Sequence, residues 1–383
     1  MSKSSTSFRP KDLWLIAATY AIATFTYYML GVRFDSSTYP RFMQFIDKDL
    51  LADRLLESIW YYHAFPPTLN VFVGVGEKLF GQHAHIFFSA SFHILGLLLA
   101  FSVWGITARL TNSRGFAFAT TTIVVFSPAF VLYENWLMYT FPAAALLAMA
   151  TFALYRFVDT ERSSWGFTFF TLLAILALTR SLFHLAWLLL IVVVLLIMLR
   201  RQRRQILVLA FLPVIVVAGW YLKNQYLFGT FSSTTMAGLG LSNITTLTVQ
   251  GDELLPLVQQ GTLSPYVLVS RYKDKQILFA EQGIQATGVP VLDRVKKATG
   301  DYNFNYLRIV ELNRIYLHDG FTVFREFPYY YLTGLRLSNL LFFSPTHMNA
   351  YFSADNRDAV WPMERIFNPL LYGVRPGFGH IAQ

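Results

Sequence analysis

The sequence predicts an all-α protein that crosses a membrane about seven times, with an amphipathic first outer loop and a mixed, water-facing region after the last span. Of its 383 residues, 55% are hydrophobic and only 14% are charged, whereas soluble domains carry about 25% charged residues. The apolar residues form runs that approach the roughly 20 residues needed by a membrane-spanning helix. Arginines gather in the short segments between these runs.

Seven apolar runs are the predicted spans, and they occupy residues 13–30, 85–106, 116–131, 141–157, 165–178, 184–199 and 206–222. Segment 68–80 is apolar but short and carries Glu77 and Lys78, so we expect it to lie at the membrane interface. With the N-terminus in the cytoplasm, the short loops at 109–114 and 156–162 and the arginine-rich run 200–204 all become cytoplasmic. This arrangement obeys the preference of arginine and lysine for cytoplasmic loops.

These spans divide the chain into three parts. Residues 1–223 form the predicted transmembrane core, whose outer loop at 32–81 contains interfacial helices, and whose first span stays attached as a signal-anchor. Residues 224–328 form an extracytoplasmic soluble region, in which strand-like runs such as 245–249 mix with helix-like runs such as 305–317. Residues 329–383 are predicted to be an interfacial amphipathic segment.

Charge and cysteine content exclude several classes of function. The net charge of +9 sits largely in short loops, where it orients helices and meets anionic lipid, so nucleic acid is not a predicted partner. The chain has no cysteine, which excludes a disulfide, a thiolate metal site and a cysteine nucleophile.

Carboxylates are concentrated in the first outer loop. Asp35 follows the first span within a few residues, which places it at headgroup depth as either a functional acid or an ordinary loop carboxylate. Apolar residues recur at helical spacing over 39–60, so this segment is expected to lie flat on the membrane as one helix. Asp47, Asp53 and Glu57 would then lie on its solvated face.

Two further side chains stand at the predicted membrane surface. His63 precedes a Pro-Pro pair that ends one helix and begins the next, and it is either an anion-binding residue or an interfacial aromatic. Arg180 separates two apolar runs. It is a functional candidate by its position, with a snorkelling anchor as the alternative.

The order of these motifs resembles the GT-C class of integral membrane glycosyltransferases, in particular its protein O-mannosyltransferase and lipid A aminoarabinose transferase branch. The resemblance covers residues 13–240. It rests on an acid after the first span and on Pro-Pro-x-Leu at 66–69, Leu-Phe-Gly at 79–81, Ser-Pro-Ala-Phe at 127–130, Tyr-Glu-Asn-Trp at 133–136, Phe-Pro at 141–142 and Trp-Tyr-Leu-Lys-Asn at 220–224.

The resemblance implies transfer of a sugar from a polyprenyl-phosphate donor to an acceptor protein, lipid or glycan on the outer face of the membrane. It makes Asp35 the candidate catalytic base and Glu134 a second catalytic acid. The cations predicted near the outer face, and therefore near the lipid phosphate, are Arg33, His63, Arg180 and Lys223. A divalent metal ion shared by Asp35, Glu134 and His63 remains open, since no regular ligand spacing demands one.

The chain departs from the family pattern in three places. Many members carry an Asp-Glu pair in the first loop, whereas Ser36 follows Asp35 here. Phe65 stands where the aminoarabinose branch has lysine before Pro-Pro, and Thr140 stands where that branch has an acid. The family usually continues with further spans, so the resemblance predicts a shortened member or a fragment.

Three functions follow as hypotheses. The first is a lipid-linked-sugar glycosyltransferase of a bacterial plasma membrane, with its active site facing the periplasm or exterior and with the endoplasmic reticulum as the alternative location. The second is a transporter or flippase for a lipid-linked substrate, a class that usually shows internal repeats and matched broken helices. The third is a catalytically inactive membrane scaffold. The identities of the donor sugar and the acceptor are not predicted.

Overall fold

The computed structural model describes residues 9–246, 249, 251–269, 279, 285–342 and 351–372. Within these ranges every regular element is a helix, and strand-type pairing is confined to the isolated bridges Asp35–Trp136 and Lys296–Tyr302. The predicted all-α class is therefore confirmed for this part of the chain. The chain divides into two compact units. The first contains Met1–Tyr39, Leu79–Gly219 and Pro345–Gln383, and the second contains Pro40–Lys78 and Trp220–Ser344.

The α-helices of the described residues are numbered in chain order. Those up to the last predicted span are α1 Pro10–Leu30, α2 Lys48–Asp53, α3 Leu55–Trp60, α4 Thr68–Phe80, α5 Ala84–Thr111, α6 Arg114–Phe126, α7 Pro128–Glu134, α8 Thr140–Thr160, α9 Ser163–Ala177, α10 Leu185–Met198 and α11 Arg203–Phe228. Those that follow are α12 Ala237–Thr246, α13 Gly251–Gln259, α14 Pro290–Asp293, α15 Arg308–Glu326, α16 Pro328–Phe342 and α17 Ala354–Tyr372. Short 3₁₀ turns occur at Tyr39–Arg41, Gly81–His83, Arg200–Gln202 and Pro265–Leu268.

Four helical stretches among the described residues are long and apolar enough to cross a membrane: Pro10–Leu30, Thr68–Thr111, Thr140–Thr160 and Arg200–Phe228. The α6–α7 pair raises the number to 5 if it is one broken span. Four of the predicted apolar runs therefore lie in helices of sufficient length. The runs at 165–178 and 184–199 form helices of 15 and 14 residues, which are shorter than the roughly 20 residues of a typical span.

Two predicted segments have a different form in the structure. Residues 68–80 were expected to be a separate interfacial segment, but α4 and α5 form one apolar helical stretch of 44 residues that includes the turn Gly81–His83. Residues 116–131 were expected to be one span, but α6 and α7 meet at 58°. The bend lies at Ser127, which has extended backbone angles. Pro128 disfavours a helical conformation in the residue before it.

The first unit contains α1 and helices α5 to α10, together with α17. Helix α5 packs against α6 and α8, helix α8 packs against α9, and α1 packs against α5 and α6. Helix α17 contacts α1 and α7. Its residue Ala359 lies 3.8 Å from where a Cβ on Gly31 would be. The sequence suggested no contact between this late segment and the first span.

The regular elements among the described residues of the second unit are helices, whereas a mixture of helix and strand was expected. Thr245 and Thr246 end α12, and residues 247 and 248 of the predicted strand-like run lie outside the described ranges. Helices α12 and α15 pack closely because Gly238 has no side chain. A Cβ there would lie 1.9 Å from the carbonyl oxygen of Asn313. The side-chain oxygen Oδ1 of Asn313 also accepts a hydrogen bond from the backbone N–H of Leu239 at 2.9 Å.

The segment 39–60 is not one surface helix. It forms a 3₁₀ turn followed by α2 and α3, and Asp47 precedes α2 as a buried residue. The Asp47 carboxylate lies 3.0 Å from the guanidinium of Arg294 and accepts a hydrogen bond from the backbone of Ala298. The expectation of a solvated Asp47 is therefore wrong, because a cation and a backbone amide from distant sequence neutralise and cover its charge. Asp53 remains exposed, as expected.

Candidate functional site

A cavity of about 280 Å³ lies in the first unit, among residues from α1, the loop that follows it, α5 and α7. Its lining combines aromatic faces, hydroxyls and amides with one acid, one imidazole and one guanidinium. The lining residues are Thr24, Tyr27, Tyr28, Val32, Arg33, Phe34, Ser89, His93, Val131, Glu134 and Asn135. Its volume is just below the 300–1,000 Å³ of typical small-molecule sites.

Asp35 lies immediately beyond this lining. Its backbone forms a parallel bridge with Trp136, in which the Asp35 amide donates to the carbonyl of Asn135 at 2.8 Å and its carbonyl accepts from the amide of Leu137 at 3.0 Å. One carboxylate oxygen, Oδ1, accepts hydrogen bonds from the amide and hydroxyl of Ser37 at 2.9 and 2.7 Å. The other, Oδ2, is buried and has no hydrogen-bond partner among the described residues. Buried polar atoms are usually satisfied, so an orphaned carboxylate oxygen beside a cavity is a candidate functional group.

Arg33 lines the cavity two residues before Asp35. Its guanidinium lies 3.8 Å from the centre of the Tyr28 ring and donates to the carbonyls of Tyr28 and Val32. Within the described ranges, no carboxylate lies within ion-pair distance of Arg33. Backbone and ring contacts therefore orient the Arg33 guanidinium, and its positive charge remains available to an anion.

Glu134 ends α7 and is 2% exposed. Its Oε1 accepts from the Tyr20 hydroxyl at 2.5 Å, and its Oε2 lies 3.5 Å from Nδ1 of His93. Gly96, one helical turn after His93, leaves room for this carboxylate, because a Cβ at that position would lie 1.8 Å from Oε1. Three helices, α1, α5 and α7, therefore converge on one acid.

Arg33, Asp35, Glu134 and Arg180 lie in the first unit, but only the first three belong to or directly adjoin the cavity. The guanidinium of Arg180 lies 5.4 Å from the centre of the Tyr139 ring, and Arg180 is absent from the cavity lining. This contact fits an interfacial anchor as well as a phosphate contact, so the predicted role of Arg180 stays a prediction.

His63 lies in the second unit and is fully buried. Its Nε2 lies 3.0 Å from the carbonyl of Asn305 and must donate to it, so Nδ1 accepts from the Thr235 hydroxyl at 2.8 Å. Burial lowers the pKa of His63 to about 3 and keeps the ring neutral at physiological pH. Both ring nitrogens are occupied, so this geometry gives no support to the predicted phosphate contact.

Lys223 also belongs to the second unit, near the end of α11. Its ammonium lies 3.6 Å from the centre of the Trp220 ring and donates to the carbonyl of Tyr62 at 2.6 Å. The side chain is 8% exposed. Lys223 thus links α11 to Tyr62, the residue before His63. Its predicted contact with a lipid phosphate stays a prediction.

No three His, Asp or Glu side chains in the described ranges are grouped so that they could hold a metal ion. The shared cation considered for Asp35, Glu134 and His63 is therefore not supported by a preformed ligand set.

Sequence reasoning missed three residues that shape this site. Tyr20 and His93 hold Glu134, and Asn356 binds the backbone of Arg33 from α17. His93 carried a usable signal, because an ionisable residue inside an apolar run is a functional candidate by default. Tyr20 is one of 21 tyrosines, and nothing in the local sequence of Asn356 relates it to Arg33.

Comparison of the chain with protein-family models, curated proteins and solved structures finds no match.

Proposed function

We propose that this protein is a membrane glycosyltransferase that moves a sugar from a polyprenyl-phosphate donor to an acceptor hydroxyl on the non-cytoplasmic side. The observation that carries the proposal is the buried Oδ2 of Asp35, which has no hydrogen-bond partner among the described residues. It lies two residues from Arg33, whose guanidinium contacts backbone carbonyls and the Tyr28 ring and has no carboxylate partner in the same ranges. A general base and an anion-stabilising cation are the two groups that this transfer needs. The order of motifs along the chain supports the same assignment.

The roles follow from the chemistry of the transfer. The acceptor oxygen attacks the anomeric carbon of the sugar, and Asp35 takes the proton from the acceptor hydroxyl. The bond between the anomeric carbon and the phosphate oxygen breaks, and the lipid phosphate leaves with the bonding electrons. Arg33 stabilises the negative charge that develops on this phosphate, because a fixed cation at a site of developing charge lowers the barrier.

A transfer assay tests the proposal. The purified protein is incubated with a panel of polyprenyl-phosphate sugars and candidate acceptors, and the products are identified by mass spectrometry. The Asp35→Asn variant should lose transfer by about 10²- to 10⁴-fold, which is the usual contribution of a general base. Asp53→Asn is the matched control, since it removes an exposed carboxylate from the same loop. Full activity in Asp35→Asn would remove Asp35 as the base.

A transporter of a lipid-linked substrate is the second candidate, and the 58° break between α6 and α7 favours it. Broken helices line the substrate sites of many transporters, usually as a matched pair in two repeats. The described ranges contain one such break. Reconstituted vesicles separate the two candidates, because a transporter moves the lipid-linked sugar across the membrane and leaves its sugar–phosphate bond intact.

A further inference from the structure

We propose that Tyr20 and His93 are positioning residues that act through Glu134 to hold the Asp35 loop in place. In this arrangement Glu134 is itself a structural anchor and does not exchange a proton with the substrate. The inference rests on the proposed function for its catalytic consequence, but its structural part can be measured without any substrate.

The first step is the backbone connection between the two acids. Glu134 is the last residue of α7, and the next three residues carry the pairing with Asp35. Asn135 supplies the carbonyl that accepts from Asp35, and Leu137 supplies the amide that donates to it. A change in the position of Glu134 is therefore transmitted through the peptide backbone to Asp35.

The second step is the fixation of the Glu134 side chain. Its two oxygens lie against groups on different helices, with the Tyr20 hydroxyl of α1 at Oε1 and the His93 imidazole of α5 at Oε2. The Tyr20 hydroxyl also lies 2.9 Å from the carbonyl of His93, so α1 and α5 are joined at the same point. Gly96 provides the space that the carboxylate fills.

The third step is the contrast between the two acids. Both oxygens of Glu134 have protein partners, whereas Oδ2 of Asp35 has none in the part of the chain that the structure describes. A group that takes a proton from a substrate needs an oxygen free to reach it. The hydrogen-bonding pattern thus assigns proton transfer to Asp35 and positioning to Glu134.

Hydrogen–deuterium exchange of the full-length protein in detergent tests the structural part. Tyr20→Phe removes only the hydroxyl, and we expect amides in 31–39 and 132–138 to exchange roughly three- to tenfold faster, as loss of one hydrogen bond predicts. Exchange in α8 should not change. Tyr28→Phe is the matched control, because it lies on the same helix, keeps the ring under Arg33 and removes a hydroxyl that has no partner in the described ranges. Unchanged exchange in Tyr20→Phe would overturn the inference.

The transfer assay distinguishes an anchor from a catalytic acid. In Glu134→Gln the amide oxygen can still accept from Tyr20, and the amide nitrogen can donate to Nδ1 of His93 when the neutral ring carries its proton on Nε2. We therefore expect transfer within about threefold of the wild type and an unchanged pH profile. Glu134→Ala should lose about 100-fold, since small displacements of reacting groups have effects of that size. A loss of transfer in Glu134→Gln as large as that in Asp35→Asn would contradict the anchor role of Glu134.

The two proposals fail separately. If no sugar is transferred by the wild type, the proposed function fails, while the exchange data still decide whether Tyr20 holds the Asp35 loop. If Asp35→Asn abolishes transfer but Tyr20→Phe leaves exchange unchanged, the proposed function stands and the anchor is wrong.

Discussion

The side-chain amide of Asn356 binds both backbone polar groups of Arg33. Its Oδ1 accepts from the Arg33 amide and its Nδ2 donates to the Arg33 carbonyl, each at 2.8 Å. Asn356 is 4% exposed and belongs to α17, more than 300 residues further along the chain. The loop between α1 and Asp35 is thus held from one side by α17 and from the other by the residues after α7.

We expect Asn356→Ala to destabilise the protein by about 1–3 kcal/mol, because two backbone groups of Arg33 lose their partner. Sugar transfer should fall as well, since Arg33 and Asp35 share this loop. Asp358→Ala, an exposed position on the same helix, is the control and should change stability by less than about 0.5 kcal/mol. Denaturant unfolding in a defined detergent measures both. Equal stability of the two variants would show that the Asn356 contact is not important.

Replacing Gly96 should disturb Glu134 more than any other part of the first unit. The new methyl of Gly96→Ala would occupy the position of Oε1 and approach the Tyr20 hydroxyl, which lies 2.8 Å from the ideal Cβ. The carboxylate must then move, and we expect lower thermal stability and reduced transfer. Gly115→Ala is the control, because apart from its chain neighbours and the backbone of its own helix no described atom lies within 4 Å of the new Cβ, and alanine favours a helix by roughly 0.5–1 kcal/mol. A Gly96→Ala variant as stable as Gly115→Ala would argue against the packing of Glu134 on α5.

The burial of neutral His63 predicts a dependence of stability on pH. Its pKa in the folded state is about 3, whereas in the unfolded chain it is about 6.5. The unfolded state therefore binds more protons between these values, so the stability contributed by His63 is complete above pH 6.5 and is lost as the pH falls toward 3. Between pH 7 and 5 the stability lost through His63 is ~2 kcal/mol.

Denaturant unfolding at pH 7 and pH 5 measures this loss. In His63→Gln the loss should shrink by about the same ~2 kcal/mol, whatever the absolute stability of the variant. His184→Gln, which removes an exposed imidazole, should keep the wild-type dependence. An identical pH dependence in all three proteins would show that His63 is not buried in neutral form.

The absence of cysteine from the whole sequence makes the orientation directly testable. We expect Ser36→Cys to react with a membrane-impermeant maleimide added outside intact cells or spheroplasts. Ser164→Cys, at an exposed position in the first turn of α9, should react only after permeabilisation. The reverse pattern would place the Asp35 loop on the cytoplasmic side, where the proposed transfer from a donor on the outer face has no access.

Local patterns were sufficient for the parts of the fold that depend on composition. The apolar runs at 13–30, 85–106, 141–157 and 206–222 lie in long helices because an uninterrupted run of apolar residues satisfies its backbone hydrogen bonds most easily as a helix. Pro128 was a sequence signal for the helix break at Ser127. The apolar run continues across Ser127, however, so one span was expected there. The position of Asp35 at the end of the first span likewise followed from the sequence.

Contacts between distant residues decided the rest. Asp47 and His63 looked like surface groups in sequence, but Arg294, Thr235 and Asn305 cover them within the second unit. The partners of Glu134 lie 114 and 41 positions away on other helices, and polar contacts between such distant residues leave no periodic signal. The same is true of Asn356, whose contact with Arg33 depends on how α17 packs.

By itself, therefore, the sequence determined a mainly helical protein with several helices apolar enough for a membrane, because these properties follow from composition and from the short-range requirement that every backbone group be hydrogen-bonded. It did not determine that the described regular elements of 224–328 are helices as well. Only the tertiary structure decided which polar groups are neutralised and which are left without a partner. That distribution of partners depends on how α1, α5, α7 and α17 pack. Within the described residues, this packing leaves Oδ2 of Asp35 without a hydrogen-bond partner, while both oxygens of Glu134 contact other side chains.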